Sequence, residues 1–105
     1  MPQPPALSPE QRQAALAKAA AARRVRAEVK EQLKSGQLTL PQVIERAETD
    51  EFIAGIKVLA ILESLPGVGK VKARRSLDEI GISENRRLRG LGENQRKQLL
   101  DTFGR

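Results

Sequence analysis

The sequence predicts an all-α protein in which a long N-terminal helix packs on a small helical domain. Three observations predict this class. No segment alternates apolar and polar residues as a half-buried strand does. Two capping boxes, one starting at Ser8 and the other at Thr39, mark helix starts. The most apolar stretch, residues 56–65, runs into Pro66, which stops a helix.

The chain divides into three predicted parts. Residues 1–8 form a disordered tail, because three of the first five residues are prolines and no apolar period follows them. Residues 9–35 form a long basic helix, and residues 38–105 form a helical domain.

The long helix begins at Ser8, with Pro9 in the first helical position and Gln11 completing the capping box. No helix breaker follows before Gly36, and a rise of 1.5 Å per residue makes the helix about 40 Å long. Its alanine-rich first half buries little area, so we expect it to project as an arm. The second half should pack on the helical domain through apolar residues four positions apart, namely Val25, Val29 and Leu33.

Three shorter helical segments are predicted before the first proline-glycine pair. One follows the second capping box and covers residues 39–48. A short turn that starts at Thr49 or Asp50 runs through Phe52 and Ile53 and is interrupted by Gly55. A buried helix over residues 56–64 then ends at Pro66.

A tight turn between two helices is predicted by the run Leu65-Pro66-Gly67-Val68-Gly69-Lys70. Gly67 and Gly69 allow a positive φ or close approach of a ligand, and Val68 between them can fill the core. The second helix starts at Gly69 or Lys70 and ends at Gly81. Its first-turn amides, with Lys70 and Lys72 beside them, make an anion site.

The last third holds a short turn over residues 84–88, capped by Ser83, and a final helix over residues 93–103. Between them lies a glycine-flanked loop with three arginines, Arg86, Arg87 and Arg89. Three guanidinium groups on such a loop suit a narrow minor groove. The alternative is a surface loop whose arginines pair with Glu84 and Glu93.

Charge is concentrated at the two ends of the chain, whose net charge is +6: residues 1–37 carry +4, residues 38–66 carry −3 and residues 67–105 carry +5. Basic residues on the first helix share one face, namely Arg23, Arg26, Lys30 and Lys34. Clustered cations favour a phosphate-rich partner, because each contacted phosphate releases counterions. An ordinary solvated surface is the alternative interpretation.

The residues that are absent exclude several function classes. The sequence has no Cys and no His, which removes the usual ligands of zinc, the thiol nucleophile and the usual general base. We therefore predict no enzyme activity, no cofactor and no metal site. No apolar run is long enough to span a membrane, so we expect a cytoplasmic protein.

The hairpin run closely resembles the helix–hairpin–helix motif, whose glycine hairpin grips a DNA phosphate without reading bases. The alanine-rich basic first helix, this hairpin and the segment Arg86 to Gly92 together look like the actinobacterial integration host factor family. That resemblance covers essentially residues 7–104. It implies an all-α fold with a helix–two-turns–helix element, akin to one in a small-subunit ribosomal protein.

The resemblance further implies a monomeric nucleoid-associated protein that binds double-stranded DNA with little sequence preference. Such a protein bends or compacts DNA, alters its topology and supports a phage integrase. Carried over by position, residues 67–72 grip the phosphate and the three loop arginines contact a groove. The candidate DNA-binding residues are Gly67, Val68, Gly69, Lys70, Lys72, Arg74, Arg86, Arg87, Arg89, Arg96, Lys97, Arg23, Arg26 and Lys30.

Two rival functions remain open from the residues alone. An RNA-binding or ribosome-associated protein can use the same hairpin on A-form RNA. A helix–hairpin–helix glycosylase or nuclease also shares the motif, but it needs a catalytic group and a base pocket that a chain of 105 residues leaves little room for.

Overall fold

The computed structural model describes residues 8–103. The predicted disordered tail lies outside this range, apart from Ser8. Within residues 8–103 the helices follow one another as α1 (Pro9–Ser35), α2 (Leu40–Ala47), α3 (Glu51–Ala54), α4 (Val58–Ser64), α5 (Gly69–Ile80) and α6 (Glu93–Phe103), with a 3₁₀ turn at Leu88–Gly90. No strand occurs among these described residues, and the predicted all-α class is confirmed.

Helix α1 begins and ends where the sequence predicts. The Ser8 Oγ accepts from the Gln11 N–H at 3.1 Å, and the Gln11 Oε1 accepts from the Ser8 N–H at 3.0 Å. Gly36 ends the helix in the left-handed conformation with φ 81°. Residues 9–20 are all exposed, so the alanine-rich half buries little, as expected. Lys18 in this half of α1 contacts the first residue of α3: its Nζ lies 3.8 Å from the Glu51 Oε1.

The core lies between the second half of α1 and the five shorter helices. Val29 and Leu33 on α1 are buried, and Val25 packs against the core from its edge. Each further helix contributes at least one side chain with almost no exposed surface, including Leu40, Val43, Ile53, Val58, Ile61, Leu62, Leu77 and Leu99. Ala73 on α5 is fully buried, and its small side chain lets α4 and α5 pack closely on the two sides of the hairpin.

The segments around Ile56 and Leu88 differ from the sequence prediction. Helix α4 starts at Val58 instead of Ile56. The predicted turn after Ser83 forms but covers only residues 84–85: the Arg86 N–H donates to the Ser83 carbonyl at 3.0 Å, and the Asn85 N–H donates to the Ser83 Oγ at 3.2 Å. Arg87 is then extended and leads into the 3₁₀ turn. The Val58 N–H donates to the Arg86 carbonyl at 2.9 Å, and the Leu88 N–H donates to the Ile56 carbonyl at 3.0 Å. Ile56, Val58 and Leu88 are thereby buried while Lys57 stays exposed. Buried and exposed residues alternate over only three residues in each segment. That run is too short to be recognised in the sequence as the two-residue period of a strand.

Candidate nucleic-acid interface

The glycine hairpin, residues 66–69, joins α4 to α5 through two residues with positive φ. Gly67 has φ 77° and Gly69 has φ 71°, a region that strains residues with a side chain. Val68 between them packs against the core, and its N–H donates to the Leu65 carbonyl at 3.2 Å. The turn is thus held from inside the protein, with both glycines facing outward.

The N-terminus of α5 is open for an anion. Val68 occupies the cap position and makes no side-chain cap hydrogen bond, since valine has no polar atom. The first-turn amides of α5 therefore keep their donors for a ligand, and the helix dipole favours a negative charge there. Lys70 and Lys72 are exposed on the same turn and add two positive charges. This arrangement suits a phosphate held by backbone and lysine together.

Arg74 lies one turn further along α5 and is partly neutralised. Its Nε is 3.3 Å from the Glu84 Oε1, and both side chains are more than half exposed. An exposed ion pair of this kind contributes little to stability, so a phosphate can compete for Arg74.

The arginine loop, residues 86–92, uses its three guanidinium groups in different ways. The Arg86 Nη1 donates to the Gly90 carbonyl at 2.8 Å and to the Gln95 Oε1 at 3.1 Å. The Arg87 Nη1 donates to the Gly55 carbonyl at the end of α3. Arg87 and Arg89 are both exposed, and within residues 8–103 Arg89 is the arginine of this loop whose side chain makes no hydrogen bond. The alternative pairing with Glu84 and Glu93 is not observed in the described part of the chain, where Glu84 pairs with Arg74.

Gln95 links the arginine loop, the start of α6 and the end of α5, and the sequence analysis did not predict this role. Its Oε1 accepts from the Gly92 N–H at 3.0 Å as well as from Arg86, and its Nε2 donates to the Gly81 carbonyl at 3.3 Å. A signal was present in the sequence. Gln95 follows the residue before α6 by three positions, as Gln11 follows Ser8 in the first capping box.

The two basic residues of α6 differ within residues 8–103, since Arg96 forms an ion pair and Lys97 does not. The Arg96 Nη1 lies 3.5 Å from the Glu48 Oε1, and the Arg96 Nε is buried without a partner in the described structure. Arg96 and Arg89 share the lining of a cavity of about 230 Å³ between α2, the 3₁₀ turn and α6. Lys97 is exposed and forms no ion pair within residues 8–103.

The basic face of α1 meets the arginine loop at one point. Arg23 and Arg26 are exposed and Lys30 is half-buried. Arg26 and Arg87 line the same crevice of about 150 Å³, whose floor includes Phe52 and Gly55. The structure therefore brings the first helix and the loop together at Arg26. By contrast, Lys72 lines a separate groove beside Pro66 and Phe103.

None of the helices within residues 8–103 combines the length and the apolar surface that a membrane span requires. Over the same range, no group of three or more His, Cys, Asp or Glu side chains is placed to hold a metal ion.

The chain is similar in sequence to one protein domain family and to a set of bacterial proteins that share a name. The family model described as "S13-like H2TH domain" matches residues 33–103. The chain is 58% identical over 100 residues to "Integration host factor" of Mycobacterium tuberculosis (strain ATCC 25618 / H37Rv), covering 95% of each chain. It is 56% identical over 100 residues to "Integration host factor" of Streptomyces coelicolor (strain ATCC BAA-471 / A3(2) / M145), covering 95% of this chain and 94% of that protein.

A solved structure is similar to the chain in three dimensions. It is described as "Structure of sIHF bound to an 8bp palindromic DNA" and has 54% sequence identity and a TM-score of 0.79. The match covers 83% of this chain and 98% of that chain.

Proposed function

The chain belongs to the actinobacterial integration host factor family, and on this premise we propose that it binds double-stranded DNA, bends or compacts it and alters its topology. The observation that carries the proposal is the glycine hairpin, whose uncapped helix start lies beside Lys70 and Lys72. The family and the matched H2TH domain are those of a non-enzymatic DNA-binding protein.

The hairpin binds one phosphate of the backbone. The amides of the first turn of α5 donate to the phosphate oxygens, and Lys70 supplies a charge-assisted contact. Gly67 and Gly69 have no atoms within 4 Å of the positions where a Cβ would stand, so the backbone is open to close approach. Phosphates carry no sequence information, and a contact of this type sets position without selecting bases.

A second contact comes from the arginine loop and the basic face of α1. The loop arginines Arg86, Arg87 and Arg89 contact the groove beside the gripped phosphate, the first two through N–H groups that their internal hydrogen bonds leave free. The basic residues of α1 meet a further stretch of backbone or a neighbouring duplex, namely Arg23, Arg26 and Lys30. Lys97, Arg96 and Arg74 add charge near these contacts, the last two after leaving their exposed acidic partners. Bending a short site costs about 1–6 kcal/mol, and several such contacts are needed to offset that cost.

Three further features belong to the proposal. The protein acts as a monomer, is associated with the nucleoid in the cytoplasm, and supports a phage integrase by shaping the DNA on which the integrase acts. Support comes from the family resemblance of the sequence, which implies a monomeric nucleoid-associated protein of this kind.

The proposed function is tested by titrating unrelated duplexes of equal length across ionic strengths. With about five phosphates neutralised, the slope of log K against log salt is about −4.5, and affinity falls roughly 500-fold between 50 and 200 mM. Bending is read from energy transfer between dyes at the two ends of the duplex. A flat salt response, or a preference of many thousand-fold for one sequence, contradicts the proposal.

RNA binding is the second candidate, because the matched domain is described as S13-like and the sequence resembles an element of a small-subunit ribosomal protein. A direct competition between duplex DNA and A-form RNA of equal length and charge separates the two. Tighter binding to RNA by tenfold or more would favour this second function.

A further inference from the structure

We infer that Lys57 completes a second phosphate site, at the opposite end of α4 from the glycine hairpin, and that its pairing with Arg87 makes the free protein less stable. This inference rests on the proposed function, because the phosphate that it assigns belongs to a DNA backbone. The sequence analysis did not select Lys57, since only the folded chain places it beside a second cation.

Lys57 and Arg87 lie directly opposite each other in a short antiparallel bridge. The hydrogen bonds of this bridge join the residues that flank the pair, namely Ile56 with Leu88 and Val58 with Arg86. The pair itself is therefore not hydrogen-bonded, and its two Cα atoms are expected about 4.5 Å apart, the closer of the two antiparallel spacings. Side chains at opposite positions leave the same face of such a bridge.

Burial of the neighbouring residues keeps both cations on the outer face. Ile56 and Val58 are 3% and 0% exposed, and Leu88 is 5% exposed. Lys57 and Arg87 are both exposed. Because side chains alternate between the two faces of extended chain, the buried neighbours fix the direction of this pair toward solvent.

Two like charges at opposite positions destabilise a strand pair. None of the ion pairs found within residues 8–103 includes Lys57 or Arg87. The Arg87 Nη1 donates to the Gly55 carbonyl, which is neutral and leaves the charge uncompensated. Lys57 also occupies the cap position of α4, where the helix dipole disfavours a cation. The local structure thus holds two cations together without an anion.

A phosphate supplies the missing negative charge. The Arg87 guanidinium has N–H groups besides Nη1, and the Lys57 ammonium is a compact charge with three donors. One phosphate has enough oxygens to accept from both, and these charge-assisted bonds replace the repulsion by attraction. A feature that breaks a local rule of stability is typical of a functional site.

The place of this pair separates it from the hairpin site and extends the basic surface. Helix α4 has seven residues, so its two ends are about 10 Å apart, with Lys57 at one end and the hairpin beyond the other. Arg87 and Arg26 line the same crevice, where the carboxylate of Glu51 pairs with Lys18. The Lys57 site therefore lies between the arginine loop and the basic face of α1.

Thermal melts test the repulsion without DNA. Lys57→Gln should raise the melting temperature by about 2–5 °C at low salt. The gain should fall below about 1 °C in 1 M NaCl, where the Debye length is about 3 Å. In an Arg87→Gln background the low-salt gain should shrink to less than half, because the opposing charge is gone and only the effect of the helix dipole remains.

Duplex titrations test the phosphate contact with two matched variants. Lys57→Gln should weaken binding about three- to tenfold and make the salt slope shallower by about 0.9. Arg46→Gln removes one exposed positive charge from α2, outside the proposed interface, and should change the affinity by less than twofold without raising the melting temperature. Lys57→Arg keeps the charge, so it should bind and melt as the parent does.

Each contrary result overturns a stated part. No gain in melting temperature for Lys57→Gln, or an equal gain with and without Arg87, shows that the two cations do not repel each other. Binding by Lys57→Gln that matches Arg46→Gln removes the phosphate site and leaves the DNA function standing. A parent protein that binds no duplex at low salt overturns the proposed function and the phosphate site with it.

Discussion

The left-handed conformation of Gly69 offers a test of the hairpin that can be worked out from the structure. Gly69 has φ 71°, and no atom lies within 4 Å of the place where a Cβ would stand. Replacing it by alanine therefore causes no clash, and the cost is the backbone strain alone. That strain is about 1–2 kcal/mol for a residue with a side chain.

Gly55→Ala is the matched control for Gly69→Ala. Gly55 has φ −83°, and a Cβ there would meet carbonyl oxygens at 3.5 and 3.6 Å, which is ordinary contact. Both substitutions reduce the entropy of the unfolded chain by a similar amount, so this term cancels in the comparison. The difference between the two variants is then the strain at Gly69.

Thermal melts and duplex titrations measure the two consequences. A difference of 1–2 kcal/mol in the free energy of unfolding lowers the midpoint of Gly69→Ala by about 4–16 °C relative to Gly55→Ala. Gly69→Val, with a branched side chain, should melt lower still. Both Gly69 variants should bind duplex DNA more weakly at a temperature where they are folded, because the added group stands where the phosphate approaches. Midpoints that agree within about 2 °C, together with unchanged affinity, would refute the reasoning.

Three further predictions concern the charged surface and the arm. Lys70→Ala removes one charge but leaves the α5 amides, so binding should weaken by a similar factor on every duplex while the melting temperature holds; a change in the preferred sequence would show that Lys70 reads bases. Arg23 and Arg26 changed together to Ala should make the salt slope shallower by up to about 1.8, and an unchanged slope would remove the α1 face from the interface. Removal of residues 1–15 should shift the melting temperature by less than about 2 °C, since Pro9–Ala15 is exposed; a large fall would show that the arm packs on the body.

The limits of α1 and α5 and the glycine hairpin were determined by the sequence because their signals are local. A capping box needs only residues three positions apart, and both predicted boxes close at Ser8–Gln11 and Thr39–Gln42. Gly36 and Gly81 end their helices in the left-handed conformation, as a glycine after a helical run predicts. The family was also recognisable from the sequence, and the curated relatives confirm it.

The hydrogen-bond partners of the loop arginines were decided only by the tertiary structure. The spacing of Arg86, Arg87 and Arg89 shows three adjacent cations, and nothing in that spacing reveals which of them bonds a carbonyl. Arg87 reaches Gly55, and the Arg86 carbonyl accepts from the Val58 N–H, across about thirty residues of chain. Such partners meet because α3, α4 and the loop pack on one core. A guanidinium with five donors takes whichever acceptors the packing places near it, and that choice leaves no local pattern in the sequence.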